Sequence, residues 1–190
     1  MKLFVFTALI ICGIISGFAS YKKFSIKKYQ IIIYPLISAT VSALYYHEFG
    51  LSVEFVTGAV LVAIFLFFST GDIKTRKVSD IMHVLIFAAG FVFISKENLL
   101  TMIAGAFVLG LIPLVAAVVK PGTFGGADIK FLAAAGWLFG IKNGVTVMVM
   151  GLLFSIIGTL IVSVVKKEKI KRIPMIPYFC FAATLIYSTL

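Results

Sequence analysis

The chain has 190 residues, 62% of them hydrophobic and 13% charged, with a mean hydropathy of +1.16 and a formal charge of +10. A soluble domain of this length has no use for so much apolar surface, so the composition excludes that class and sets a polytopic membrane protein in its place. The positive charge, which in a soluble chain would suggest nucleic acid, is explained here by the positive-inside rule, and no nucleic-acid partner is assigned.

Eight apolar runs follow along the chain, at 3–20, 29–46, 53–70, 79–95, 99–119, 128–141, 143–165 and 174–190. Backbone polar groups in lipid must be satisfied within their own segment, so the expected architecture is an all-α bundle of about eight transmembrane segments. The first run is preceded by Lys2 alone and followed by Lys22, Lys23, Lys27 and Lys28, the reverse of a secretory signal, and is read as a retained helix. With both termini outside, the cytoplasmic side receives those four lysines with Lys74, Arg76, Lys77, Lys120, Lys130, Lys166, Lys167, Lys169, Lys171 and Arg172. The outer side keeps Lys2, Lys96 and Lys142, a balance of 14 against 3. Glu48, Glu54 and Glu97 fall outside and weigh little in the rule. The sixth run is short, 14 residues or about 21 Å. A re-entrant sixth run would send the basic cluster 166–172 outside, so a short spanning helix is expected. Residues 1–190 are read as one membrane domain, with an N-terminal helical pair at 1–52 and a core at 53–190.

Two stretches of that core share a pattern: Gly71-Asp72-Ile73-Lys74 and Gly125-Gly126-Ala127-Asp128-Ile129-Lys130. A carboxylate at a membrane edge is costly and marks a functional site by default. On the chosen topology Asp72 ends the third helix and Asp128 opens the sixth, so both reach the cytoplasmic face although 56 positions separate them. Two carboxylates in contact share a proton and titrate as a unit, which suits them to acid and base chemistry on one substrate. Small residues beside each aspartate (Gly71, Gly125, Gly126 and Ala127) let another backbone approach, and Lys74 and Lys130 support the pair. The bland readings differ between the two. Asp128 fits a helix cap. Asp72 sits near a helix C-terminus, where the macrodipole disfavours its charge, and pairing with Lys74 or Arg76 is its structural alternative. Asp80 is expected to cap the fourth helix and His83 to be packed within it. Cys12 and Cys180 are read as small apolar core residues, and His47-Glu48 lacks the second histidine of a zinc motif, so no metal site is assigned. Intramembrane aspartates also mark proton-coupled transporters, which leaves that function open.

The flanking residues carry a resemblance. Asp72-Ile73-Lys74-Thr75-Arg76-Lys77-Val78-Ser79-Asp80 resembles the first aspartate motif of the type IV prepilin peptidases, and Gly125-Gly126-Ala127-Asp128-Ile129-Lys130 is similar to their glycine-any-glycine-aspartate motif. Tyr34-Pro35-Leu36 and Ile176-Pro177-Tyr178-Phe179-Cys180-Phe181 look like helix entries of the same family. The resemblance implies an intramembrane aspartic endopeptidase of the bacterial plasma membrane, with Asp72 and Asp128 catalytic. It also implies prepilins or pseudopilins as substrates, cut on the cytoplasmic side after a glycine that precedes the hydrophobic helix. Ala127 stands where the motif usually has glycine. The loop at 21–30 is short and lacks the cysteine pairs that many relatives associate with N-methylation, so neither S-adenosylmethionine nor any other cofactor is assigned. A non-catalytic, prepilin-binding relative is the remaining alternative. The signal-peptide-peptidase type shares the second motif but places a tyrosine where Gly71 stands.

Overall fold

The computed structural model describes residues 2–25, 28–95, 98–167 and 173–190. Its helices are α1 (Lys2–Phe24), α2 (Lys28–Phe49), α3 (Val53–Thr75), α4 (Ile81–Gly90, continued by a 3-10 turn at Phe91–Phe93), α5 (Leu99–Val119), α6 (Gly126–Lys166) and α7 (Ile176–Tyr187). Among the described residues there is no strand. Among the described residues, three helical stretches are long and apolar enough to cross a membrane: Val53–Thr75, Leu99–Val119 and Gly126–Val165. Exposed side chains such as Leu100, Phe107, Val118 and Val164 give the bundle an apolar outer surface suited to lipid.

The eight apolar runs all fall on helix, but the sixth and seventh share α6. The interruption lies at Gly140, with φ 70° and ψ 179°, a region open essentially to glycine. The chain turns back there. A Cβ at Gly144 would meet Gly136 Cα at 3.2 Å, whereas residues eight apart in a straight helix lie about 12 Å apart. The two halves of α6 therefore form a tight hairpin. The fourth run is shorter than its apolar stretch, since α4 and its 3-10 turn occupy 81–93 of the expected 79–95.

Helix ends are sorted by specific contacts. Helix α3 begins at the Ser52 cap, whose hydroxyl accepts the Phe55 N–H at 3.2 Å. The same end holds Tyr187, whose hydroxyl donates to the Glu54 carbonyl at 2.8 Å, so α7 runs antiparallel to α3. Near the far end of α3 the Tyr34 and Thr70 hydroxyls bond across from α2, and the Phe24 ring of α1 covers Gly71. Between these ends lies a core that includes Phe55, Phe65, Met82, Ile86, Leu109, Phe131 and Phe179.

The ends of α1, α3 and α5 and the starts of α2, α4, α6 and α7 thus gather at one end of the bundle. Exposed Lys22, Lys23, Lys74, Arg76, Lys77, Lys120 and Lys130 lie on it, while His47, Glu48, Glu54 and Lys142 belong to the opposite helix ends. Lys27, Lys96, Glu97, Lys169, Lys171 and Arg172, counted in the charge balance, lie outside the described residues.

Candidate active site

A cavity of about 500 Å³ opens at the basic end of the bundle, lined by Asp72, Arg76, Gly122 to Asp128, Ser155 and Ile173 to Met175. Four chain regions meet there: the end of α3, the loop into α6, the returning half of α6, and the lead into α7. Both aspartates singled out above are in its wall, each only 8% exposed.

Asp72 lies three residues before the end of α3, which closes with Arg76 in the left-handed conformation (φ 53°) donating its backbone N–H to the Asp72 carbonyl oxygen at 2.9 Å. Its side chain leaves this unfavourable helix end for a favourable one: Oδ2 accepts the Ile176 N–H, the first of α7, at 3.3 Å. Pro177, next in line, has no N–H to offer. The capping role withheld from Asp72 on the strength of its own helix is supplied by another, 104 positions on. That partner is a backbone group and gives no signal in local sequence. Arg76 also lines the cavity and acts electrostatically on Asp72.

Asp128 is not the first cap of α6 but its third residue. Gly125 holds the cap position and donates its backbone N–H to Asp128 Oδ2 at 3.0 Å, one arm of a capping box. The preceding loop turns through Gly122, at φ 90°. It is secured by the Thr123 hydroxyl, which lies 3.0 Å from the carbonyl oxygens of both Ala116 and Lys120 at the end of α5. A Cβ on Gly126 would meet nothing within 4 Å, so this glycine leaves the wall open beside Asp128.

The other sequence candidates divide. Gly125, Gly126 and Ala127 line the cavity. Gly71 faces the Phe24 ring instead, and Lys74 is exposed at the end of α3. Lys130 points away to Asp80, with Nζ donating to Oδ1 at 2.7 Å. Asp80 holds the cap position of α4 but makes no side-chain cap bond there. Ser155, in the returning half of α6, was not legible in the sequence. It is buried in the cavity wall with its hydroxyl donating to the Leu152 carbonyl at 2.8 Å. A lone serine inside an apolar run carries no motif.

The hydrogen bond and charge of Lys130 hold the Asp80 carboxyl below the usual carboxylate range. A depressed folded-state value stabilises the fold above the ordinary carboxyl pKa of about 3.9 and loses that contribution as pH falls through the folded value. Lys130→Met should therefore move the Asp80 midpoint up toward the ordinary range in an NMR titration. An unmoved midpoint would show that the pair does not persist in the membrane.

The model of the type IV leader peptidase family matches residues 59–164, more than half of the chain and inclusive of both aspartates. Comparison with curated proteins gave no match, and comparison with solved structures gave none.

Proposed function

We propose, on the premise that this chain belongs to the type IV leader peptidase family, that it is an intramembrane aspartic endopeptidase with Asp72 and Asp128 as its catalytic pair. The family makes it a membrane-associated peptidase; the finer reading adds the pair, the substrate and the membrane face. Its substrates are prepilins or pseudopilins, and it removes their leader peptides at the cytoplasmic face. The observation that carries this reading is the meeting of two buried carboxylates, from α3 and α6, in one open cavity at the basic end of the bundle.

The chemistry needs one carboxylate ionised and one protonated, which close carboxylates favour. The ionised member takes a proton from water as the water oxygen attacks the scissile carbonyl carbon. The protonated member donates a hydrogen bond to the developing oxyanion. The C–N bond then breaks, the nitrogen takes up a proton from the pair, and a new carboxyl group and a free amine leave. The glycine-rich wall at Gly122, Gly125 and Gly126 suits an extended peptide lying close to the carboxylates.

The topology proposed with this function has eight crossings and both termini outside. It rests on the positive-inside rule, and the exposed lysines around the cavity mouth support it. The transport reading fares worse, since both carboxylates open at one end of the bundle rather than near its middle, where coupling ions bind in transporters.

The test is cleavage by the purified protein in proteoliposomes, with a prepilin-like substrate and the product N-terminus read by mass spectrometry. One cut, directly before the hydrophobic helix, is expected. An intact substrate, or cuts scattered through the leader, would overturn the reading.

A further inference from the structure

We infer that the first turn of α4 is the positioning element for Asp128, with His83 as its principal residue. Two contacts from that turn flank Asp128 in sequence. The His83 imidazole donates from Nε2 to the Ala127 carbonyl oxygen at 3.0 Å, and Asp80 accepts from Lys130 Nζ at 2.7 Å. One grips the residue before Asp128, the other the residue two beyond it.

The need for such a grip follows from the local backbone. Asp128 is reached through Gly122, Gly125 and Gly126, residues with the greatest conformational freedom, and its capping bond to Gly125 ties it only to that same loop. The buried Phe131 and Leu132 hold the body of α6, and contacts from α4 add a fixed point at its first turn, where the carboxylate stands relative to Asp72. Of the two, the His83 bond dominates. His83 is 7% exposed and bonds to a backbone atom that cannot swing away. Asp80 and Lys130 are both solvent-exposed, and exposed ion pairs contribute little.

The carbonyl partner requires the tautomer with hydrogen on Nε2, and the other ring nitrogen, Nδ1, is buried without a hydrogen-bond partner, 3.8 Å from Asp80 Oδ1. A ring present for packing alone would not leave a polar atom so placed, because an apolar side chain would fill the space without that cost. His83 does not line the cavity, so its role is exerted through Ala127 and Asp128 rather than on substrate.

This inference rests on the proposed peptidase reading for its kinetic consequence, and a second readout separates the two. Displacing a catalytic group by about 1 Å can cost on the order of 100-fold in rate. In nanodiscs, His83→Ala is expected to lower kcat by about tenfold or more with KM changed less than about twofold. His83→Gln, whose amide can donate to the same carbonyl, should recover most of the loss. In a Cys12→Ser background, maleimide labelling of the half-buried Ala127→Cys should be faster when His83→Ala is added. A His83→Ala enzyme with the parent kcat overturns the proposal. So does a His83→Gln enzyme that falls as far as His83→Ala while melting at the parent temperature. If His83→Ala does not accumulate, His83→Leu, which fills the space without a donor, should lower kcat by about tenfold while His83→Gln keeps most of it; a His83→Leu enzyme with the parent kcat also overturns the proposal. If the parent protein cleaves nothing, the peptidase reading has failed, and an unchanged labelling rate in His83→Ala then decides against positioning on its own.

Discussion

Asp72→Asn and Asp128→Asn are each expected to lower the cleavage rate by about 10²–10⁴-fold, the range associated with loss of general acid–base catalysis, while leaving the melting temperature close to that of the parent. The second half of the expectation comes from the contacts. Each carboxylate accepts a backbone N–H, from Ile176 in one case and Gly125 in the other. Asparagine keeps an acceptor oxygen in the same place, so the helix starts remain capped and only the proton chemistry is removed. Alanine removes both. Asp72→Ala and Asp128→Ala should therefore lose activity and also stability, the latter by about 1 kcal/mol for a lost cap. Activity and thermal unfolding measured on all four variants separate the roles. Asparagine variants that process substrate at the parent rate would refute the catalytic assignment, whatever the alanine variants do.

The hydrogen bonds of the two aspartates also explain what the sequence could and could not disclose. Hydropathy marked every helix, because a lipid-facing surface demands long apolar runs, and even the division near 142 reflects a real hairpin whose turn is Gly140. The aspartates stood out because charge is rare in such runs. Their surroundings did not. The Ile176 N–H that receives Asp72 is a backbone group far along the chain, and no periodicity reports it. His83 is a single polar residue on an apolar helix, and its partner is the Ala127 carbonyl, which every residue type possesses. Lys130 looked like part of the site because it follows Asp128 by two positions. On a helix that spacing turns a side chain to another face, and Lys130 reaches Asp80 there. Local patterns therefore named the acid groups, whereas contacts between helices decide how those groups are held.

Gly136→Leu and Gly105→Leu are expected to prevent the protein from accumulating in a folded form. Helices α5 and α6 cross at these two glycines, and a Cβ at either would overlap the carbonyl oxygen of the other. Overpacking a core ordinarily costs about 1–3 kcal/mol because side chains can shift. Here the obstructing atoms are backbone on both sides, with the Gly140 turn and Gly144 packed directly behind them, so the helices themselves would have to separate. That separation would also move the loop that joins α5 to α6, and with it Asp128. Gly126→Ala is the matched control. It adds a Cβ to the same helix where nothing lies within 4 Å, and its φ is not among the positive values, so it should fold and melt like the parent. Expression level, monodispersity in detergent and melting temperature report the difference. A leucine at 136 tolerated as well as an alanine at 126 would mean that the α5–α6 crossing is not the close backbone contact described.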